Sequence, residues 1–419
     1  MDLESRQQRL GRLQIAMNEI VLHDPERSFS ELIDNKRALF KGFKIIYSTN
    51  NLDGNFAKSS LKSIEEECPV LKKYFYGSGL LFFSDELYDN TRKLGEIEIP
   101  IDYSLSLDSN AAERFRVWED GKSLDKSVGY FDKLVRFIKE GEGNGFNFDY
   151  SFFLIENFFD SMKENNHRPF NTIRALKRFD HLDYDKDKFD INNPLFTEDR
   201  VSAGHRTIET LHAFHSSPEI QKFQERRMLL YIVLLKTIIL RQNKSTTLAD
   251  KMSELILFCL NDLGKFAKTE LYFGWKLLKY GNKLRFFDPV GQIGKKTLHK
   301  VKGMSWDIFA LRYQETLASK GDTGEFFIPF FASFDNRFVE LAQACPIRAV
   351  LLDEQGENVI TIQLDELEFQ TELNTSMTPE VQQILSDTEL KLKRMQTNLS
   401  YETLQLKAKS LENELEAYC

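Results

Sequence analysis

The feature that most narrows the fold is a change of hydrophobic period on either side of Asp108. Residues 97–107 read as a strand with Leu105 and Leu107 two apart, and Ala111 to Trp118 read as a helix. A strand that turns directly into a helix opens a crossover unit of an α/β sheet. Asp108 then stands at the carboxyl end of the strand, where open α/β sheets keep their ligands.

The alternation of strand and helix returns late in the chain. Residues 307–319 read as a helix, 325–332 as a strand, 336–345 as a helix and 347–352 as a strand, with 359–364 as a further edge strand. Between the two α/β stretches, 164–303 is mostly helical, with long apolar-periodic runs at 221–241 and 248–265. The expected organisation is therefore a mixed α/β region at 1–95, the first half of an α/β core at 96–163, a helical insertion at 164–303, the second half of the core at 304–365, and a helical tail at 366–419. Leu392, Met395, Leu399, Leu404, Ala408, Leu411, Leu415 and Tyr418 give the tail an apolar stripe that suits a homo-oligomer or a regulatory protein partner.

The bulk numbers exclude several classes. Apolar residues at 42% and aromatics at 12% make a globular composition. The net charge of −8 gives no global pull towards polyanions, so any nucleic-acid site must be a local patch. Cys68, Cys259, Cys345 and Cys419 lack paired spacing, which argues against a zinc cage or a disulfide framework and suits a reducing compartment. The N-terminus has no apolar signal-peptide core, and the run Met228–Leu235 is too short to span a bilayer. A soluble cytoplasmic protein is expected.

Four acids stand out. Asp108 ends the strand, with Asn110 able to cap the next helix and Glu113 to complete a capping box. Glu156 shares a helix face with Phe152 and Phe159, where a carboxylate needs a cationic partner, a metal or a proton. Asp307 reads as a first-turn acid of a helix, and Asp335 as a helix cap after Ser333. Each position taken alone is also explained by structure.

Their order resembles the PIN-domain nuclease family. The matching stretches are Leu107-Asp108-Ser109-Asn110, Ile155-Glu156-Asn157, Ser305-Trp306-Asp307-Ile308-Phe309-Ala310 and Ser333-Phe334-Asp335-Asn336-Arg337. The resemblance covers residues 96–165 and 303–365. It departs from the family's pattern in the long stretch between Glu156 and Asp307, which makes 164–303 an insertion. It implies a PIN-like parallel sheet and a Mg²⁺- or Mn²⁺-dependent nuclease acting on RNA in preference to DNA. Asp108 and Asp335 would be direct metal ligands, Glu156 and Asp307 would complete the cage, and Asn110 and Ser333 would aim the carboxylates.

A substrate surface is expected at 276–303, where Lys276, Lys279, Lys283, Arg285, Lys295, Lys296, Lys300 and Lys302 surround Tyr280, Phe286 and Phe287. A weaker basic run lies at 168–178. The Asp183-Tyr-Asp185-Lys-Asp187 run lacks the glycine and final Glu of a calcium loop, and Gly291–Thr297 is too short for a phosphate loop. His205, His212 and His215 read as ordinary helix histidines. Two other readings stand beside the nuclease: a non-catalytic interaction scaffold, and a metal-dependent hydrolase of a small phosphorylated molecule.

Overall fold

The computed structural model describes residues 3–418 apart from 55, 96–98, 142–145, 319–323, 354–357, 388, 391–392, 395–396 and 398. Ile97, most of the glycine-rich break at 141–145, Gly356, Leu392, Met395 and Cys419 thus lie outside the described residues. The strands are β1 (Lys44–Thr49), β2 (Ala57–Ser60), β3 (Leu71–Lys73), β4 (Gly79–Phe83), β5 (Ile101–Leu107), β6 (Phe146–Asp149), β7 (Phe326–Ala332), β8 (Ile347–Asp353) and β9 (Asn358–Gln363). The helices begin with α1 (Leu3–Leu22), α2 (Phe29–Phe40), α3 (Leu61–Glu67), α4 (Asp85–Leu94), α5 (Ser109–Glu119), α6 (Val128–Gly141), α7 (Ser151–Glu156), α8 (Phe158–Ser161), α9 (Arg168–Asp180) and α10 (Arg200–His215). They continue with α11 (Pro218–Gln242), α12 (Leu248–Asn261), α13 (Lys268–Lys279), α14 (Thr297–Ala318), α15 (Arg337–Ala344), α16 (Glu366–Thr375), α17 (Pro379–Ser386) and α18 (Tyr401–Glu416).

The fold is mixed α/β, and the chain divides into two compact units. The first holds 1–217, 311–338 and 346–364; the second holds 218–310, 339–345 and 365–419. These units cut across the expected domains. Residues 1–95 are not a separate region, because β1, β2 and β4 share a sheet with β8 and β9. Residues 164–217 belong to the first unit, and the insertion that forms a body of its own starts at Pro218 and includes the tail.

Two sheets organise the first unit. One has the order β2-β4-β1-β8-β9 and is antiparallel throughout. Its core joins Leu13, Ala16, Met17 and Ile20 of α1 and Leu32 and Ile33 of α2 to Ile45 and Tyr47 of β1, Leu81 and Phe83 of β4, and Ala349 and Leu351 of β8. The other has the order β3-β7-β5-β6, with β5 parallel to both β6 and β7 and β3 antiparallel to β7. The β5–β7 register is fixed at its start, where the buried carboxylate of Asp102 accepts from Gly324 N at 2.7 Å. A Cβ at Gly324 would lie 2.7 Å from Asp102 N, so this approach requires glycine.

Pro329 lies in β7, a strand paired on both sides. β3 pairs only with Phe330 to Ala332, leaving Pro329 beyond that ladder, where a residue without an N–H is tolerated. The final strand departs from the expected core. β8 follows α15 but pairs antiparallel with β1 in the other sheet, because β3 already occupies the outer side of β7.

His23 lies against this antiparallel sheet. The Arg348 guanidinium, 2% exposed, donates to His23 O at 2.7 Å and to Tyr47 Oη at 2.7 Å. Burial holds the His23 pKa below its ordinary value, and the Arg348 charge adds to that, against smaller opposing effects from Glu31 and Asp24. The fold therefore prefers neutral His23, whereas the unfolded chain takes up a proton near the ordinary value. Stability from this group is present above about pH 6.5 and is lost as pH falls below it. The melting temperature should drop between pH 7.5 and 5, and His23→Gln should lessen that drop. An identical pH profile in the variant would show that the imidazole is not responsible.

In the second unit, residues 228–235 of α11 are buried from Met228 to Leu235, as the apolar run predicts. α11 packs against α13 and α18. The tail stripe at Leu404, Ala408, Leu411 and Leu415 is buried, and Tyr231 Oη of α11 donates to Glu412 Oε1 at 2.7 Å. That part of the stripe, expected to meet an oligomer or a partner protein, is thus covered within its own chain. Among the described residues no helix is long and apolar enough to cross a membrane.

Candidate active site

The parallel strands β6, β5 and β7 end on one edge of their sheet. Asp149 is the last residue of β6, Asp108 follows β5, and Ser333-Phe334-Asp335 follows β7. Leu107 pairs with Ala332, and Asp108 N donates to Ala332 O at 3.2 Å. The sequence thus brings the first and last of its four acidic stretches to adjacent strand ends.

Asp108 itself caps α5. Its backbone is extended, at φ −75° and ψ 170°, and Oδ1 accepts from Ala111 N at 2.5 Å. This displaces the expected Asn110 cap; Asn110 is exposed in the first turn. Glu113 is not part of a capping box either. Its carboxylate accepts from Arg116 Nη2 at 2.6 Å, Arg168 Nε at 2.6 Å and Thr172 Oγ1 at 3.0 Å.

Glu156 reaches the same place by a different route. The helix expected to carry Phe152, Glu156 and Phe159 on one face is broken at Asn157, so Glu156 is the last residue of α7. Ser109 Oγ donates to Glu156 Oε2, and Asn157 Nδ2 donates to Ser109 Oγ at 2.9 Å. The hydroxyl beside Asp108 therefore ties Glu156 to the strand end. Ser333 is 2% exposed, and its Oγ accepts from Asp335 N at 3.1 Å. Asp335 is exposed, with Oδ1 accepting from Arg337 N at 3.0 Å.

Asp307 lies on a long helix. The sequence suggests a helix beginning near it, but α14 begins at Thr297, so Asp307 lies well inside the helix and no longer meets the N-terminal dipole. It belongs to the second unit, whereas Asp108, Glu156 and Asp335 belong to the first.

Three groups at this edge escaped the sequence reading. Asp149 accepts from Ser151 N at 2.8 Å and from Tyr313 Oη at 3.0 Å. Burial, with the Asp149 charge, pushes the Tyr313 hydroxyl above its ordinary pKa. Lys72 and Arg114 are both held below their ordinary pKa by burial, with the Asp108 charge acting in the opposite direction. Asp149 was legible in principle as the acid ending the second parallel strand. Lys72 comes from β3 and had no local signal.

The expected basic surface is only partly present. Lys276 is 5% exposed and ion-paired with Asp365, and Lys279 pairs with Glu368 at 2.9 Å and with Glu372. Phe286 and Phe287 are fully buried, and Tyr280 Oη donates to Glu368 at 2.6 Å, so the two Phe rings cannot stack on bases. Lys283, Arg285, Lys295, Lys296, Lys300 and Lys302 are exposed, Lys302 within 3.2 Å of Glu412. In the weaker run at 168–178, Arg168 pairs with Glu113 at 2.6 Å, and Arg174 and Arg178 pair with Glu119.

Asp108, Asp149, Ser333 and Asp335, which end these strands, offer oxygen donors, the ligand type that hard divalent cations take. Among the described residues, no three His, Cys, Asp or Glu side chains are grouped so as to hold a metal ion. A Mg²⁺ ion needs only one or two carboxylates when waters and substrate phosphates complete its shell. No protein-family model, curated protein or solved structure matches the chain.

Proposed function

We propose that the shared carboxyl edge of β5 and β7 is the catalytic centre of a PIN-like, Mg²⁺- or Mn²⁺-dependent nuclease that hydrolyses phosphodiester bonds, with single-stranded RNA as the favoured substrate. The observation that carries this reading is the pairing of β5 with β7, which sets Asp108 and Asp335 at neighbouring strand ends while Ser109 draws in Glu156. Asp108 and Asp335 would hold the cation, with Glu156 acting directly or through water. When bound, the ion lowers the pKa of a water and stabilises charge on the leaving oxygen. The residues themselves orient and exclude. The α5 cap fixes one carboxylate oxygen of Asp108, the Ser109 hydroxyl aims Glu156, and the buried Ser333 hydroxyl holds the turn that presents Asp335.

A second reading has its own support. Asp108 caps a helix, Asp335 closes a turn and Glu156 bonds Ser109, so each acid already has structural work of the kind a non-catalytic interaction module needs. Labelled single-stranded RNA and DNA incubated with the protein and Mn²⁺ separate the two. Cleavage of RNA above DNA, abolished by chelation, is expected. Intact strands, together with a melting temperature unmoved by Mn²⁺, would overturn the nuclease reading in favour of the module.

A further inference from the structure

An open cleft of about 510 Å³ adjoins the candidate centre, lined by Ser109 and Asn110, by Arg114, by Ser123 and Asp125, and by Arg168. Its size suits a nucleotide unit. Two features mark it as more than a surface fold. Asp125 is the one non-glycine residue with positive φ among the described residues, at 48°. Such a conformation persists where the surroundings impose it, and here the 123–125 loop is closed by Ser123 Oγ, which accepts from Asp125 N at 3.0 Å.

The second feature is Arg114. Its guanidinium lies 4.2 Å from the centre of the Phe334 ring, in the segment leading to Asp335, and donates to Ser127 Oγ. Its Nε is buried without a hydrogen-bond partner. A half-buried guanidinium with one unmet donor can turn towards an anion's oxygen. Arg168 stands on the same cleft with its side chain 61% exposed. It shares the Glu113 carboxylate with Arg116, so that single negative charge is divided between two cations. Asn110 adds an exposed side-chain amide in the first turn of α5.

We infer that this cleft seats a backbone phosphate of a single-stranded nucleic acid next to the bond being cut, with Arg114 and Arg168 as its cationic contacts. The inference deepens the nuclease reading but is measured by binding alone. Asp125 and Glu113 keep the cleft from being a general anion trap.

The test is fluorescence anisotropy of labelled 12-nucleotide RNA and DNA in EDTA, with adenosine monophosphate as a separate competitor. Arg168→Gln and Asn110→Asp are the principal variants. The first alters an exposed side chain, and the second places an acid where a helix start welcomes it, so both should fold. Arg114→Gln is the third. Each should weaken oligonucleotide binding by about tenfold, and each lost arginine should flatten the salt dependence by about 0.7 in log–log slope.

Parent-like affinity and slope in Arg168→Gln and Asn110→Asp would overturn the assignment, as would absence of binding by the parent. Competition by the mononucleotide at concentrations as low as those of the 12-mer would replace a strand with a free nucleotide and overturn it as well. Cleavage by the parent with binding indifferent to these variants would leave the nuclease reading standing without this subsite. Binding that depends on the arginines without any cleavage would do the reverse.

Discussion

Asp108→Asn should lower Mn²⁺-dependent cleavage by more than about 100-fold while leaving the melting temperature within a degree or so of the parent's. The two halves of this result come from separate jobs of one side chain. Asn caps a helix about as well as Asp, so the bond from Ala111 N survives the substitution. What disappears is the negative charge, and removing even an outer partner of a metal ligand typically costs 10- to 100-fold, so a direct ligand should exceed about 100-fold.

Asp108→Ala should lose the same activity and in addition about 1 kcal/mol of stability, because the cap goes too. Asp335→Asn is expected to match Asp108→Asn, since the Asp335 side chain is exposed and Asn supports the same local turn. Cleavage at parental rates by both Asn variants would show the carboxylates to be structural. Stability measured by thermal melting beside each rate keeps misfolding from being mistaken for loss of chemistry.

The largest stability effect should come from Glu119→Ala. The Glu119 side chain is 1% exposed and is held by Arg200 at 2.7 Å, Arg174 at 3.5 Å and Arg178. Removing one partner of a buried ion pair leaves uncompensated charge and costs about 3–5 kcal/mol. The lower end is expected here, because Arg200 is 50% exposed and Asp120 lies 3.7 Å from Arg200 and 4.0 Å from Arg174. Trp118 packs on Phe131, Phe179 and Phe196 in the same unit and reports its unfolding in urea, provided Trp275 and Trp306 are replaced by Phe. A change below about 1 kcal/mol would mean that the arginines are solvated as a surface cluster is.

The legible part of this molecule was local. The period change at Asp108 located β5 and α5, and the Phe-rich run from 326 located β7, because strand and helix patterns depend on neighbouring residues. Glu156 was found as a polar residue among aromatics, yet the break at Asn157 was missed, since both sides of it carry the same apolar pattern. Asp307 misled for a related reason. Ser305 resembles a cap, but its Oγ donates back to Lys302 O at 2.7 Å within a helix already under way. Lys276 and Lys279 looked available because their partners, Asp365, Glu368 and Glu372, lie some 90 residues further on. Sheet membership was the least accessible property. Nothing near Ile347 announces that β8 will pair with β1 and leave the parallel sheet to three strands and an antiparallel edge.

That pairing has a consequence for how the chain is made. β1, with Ile45 to Thr49 all buried, is synthesised first and must wait for Ile347 to Asp353 to supply its neighbour. At about 5–20 residues per second, that interval is on the order of 15–60 seconds, during which one side of an apolar strand has no mate. Nascent chains halted before residue 347 should therefore hold onto a chaperone, and those halted after 364 should let go.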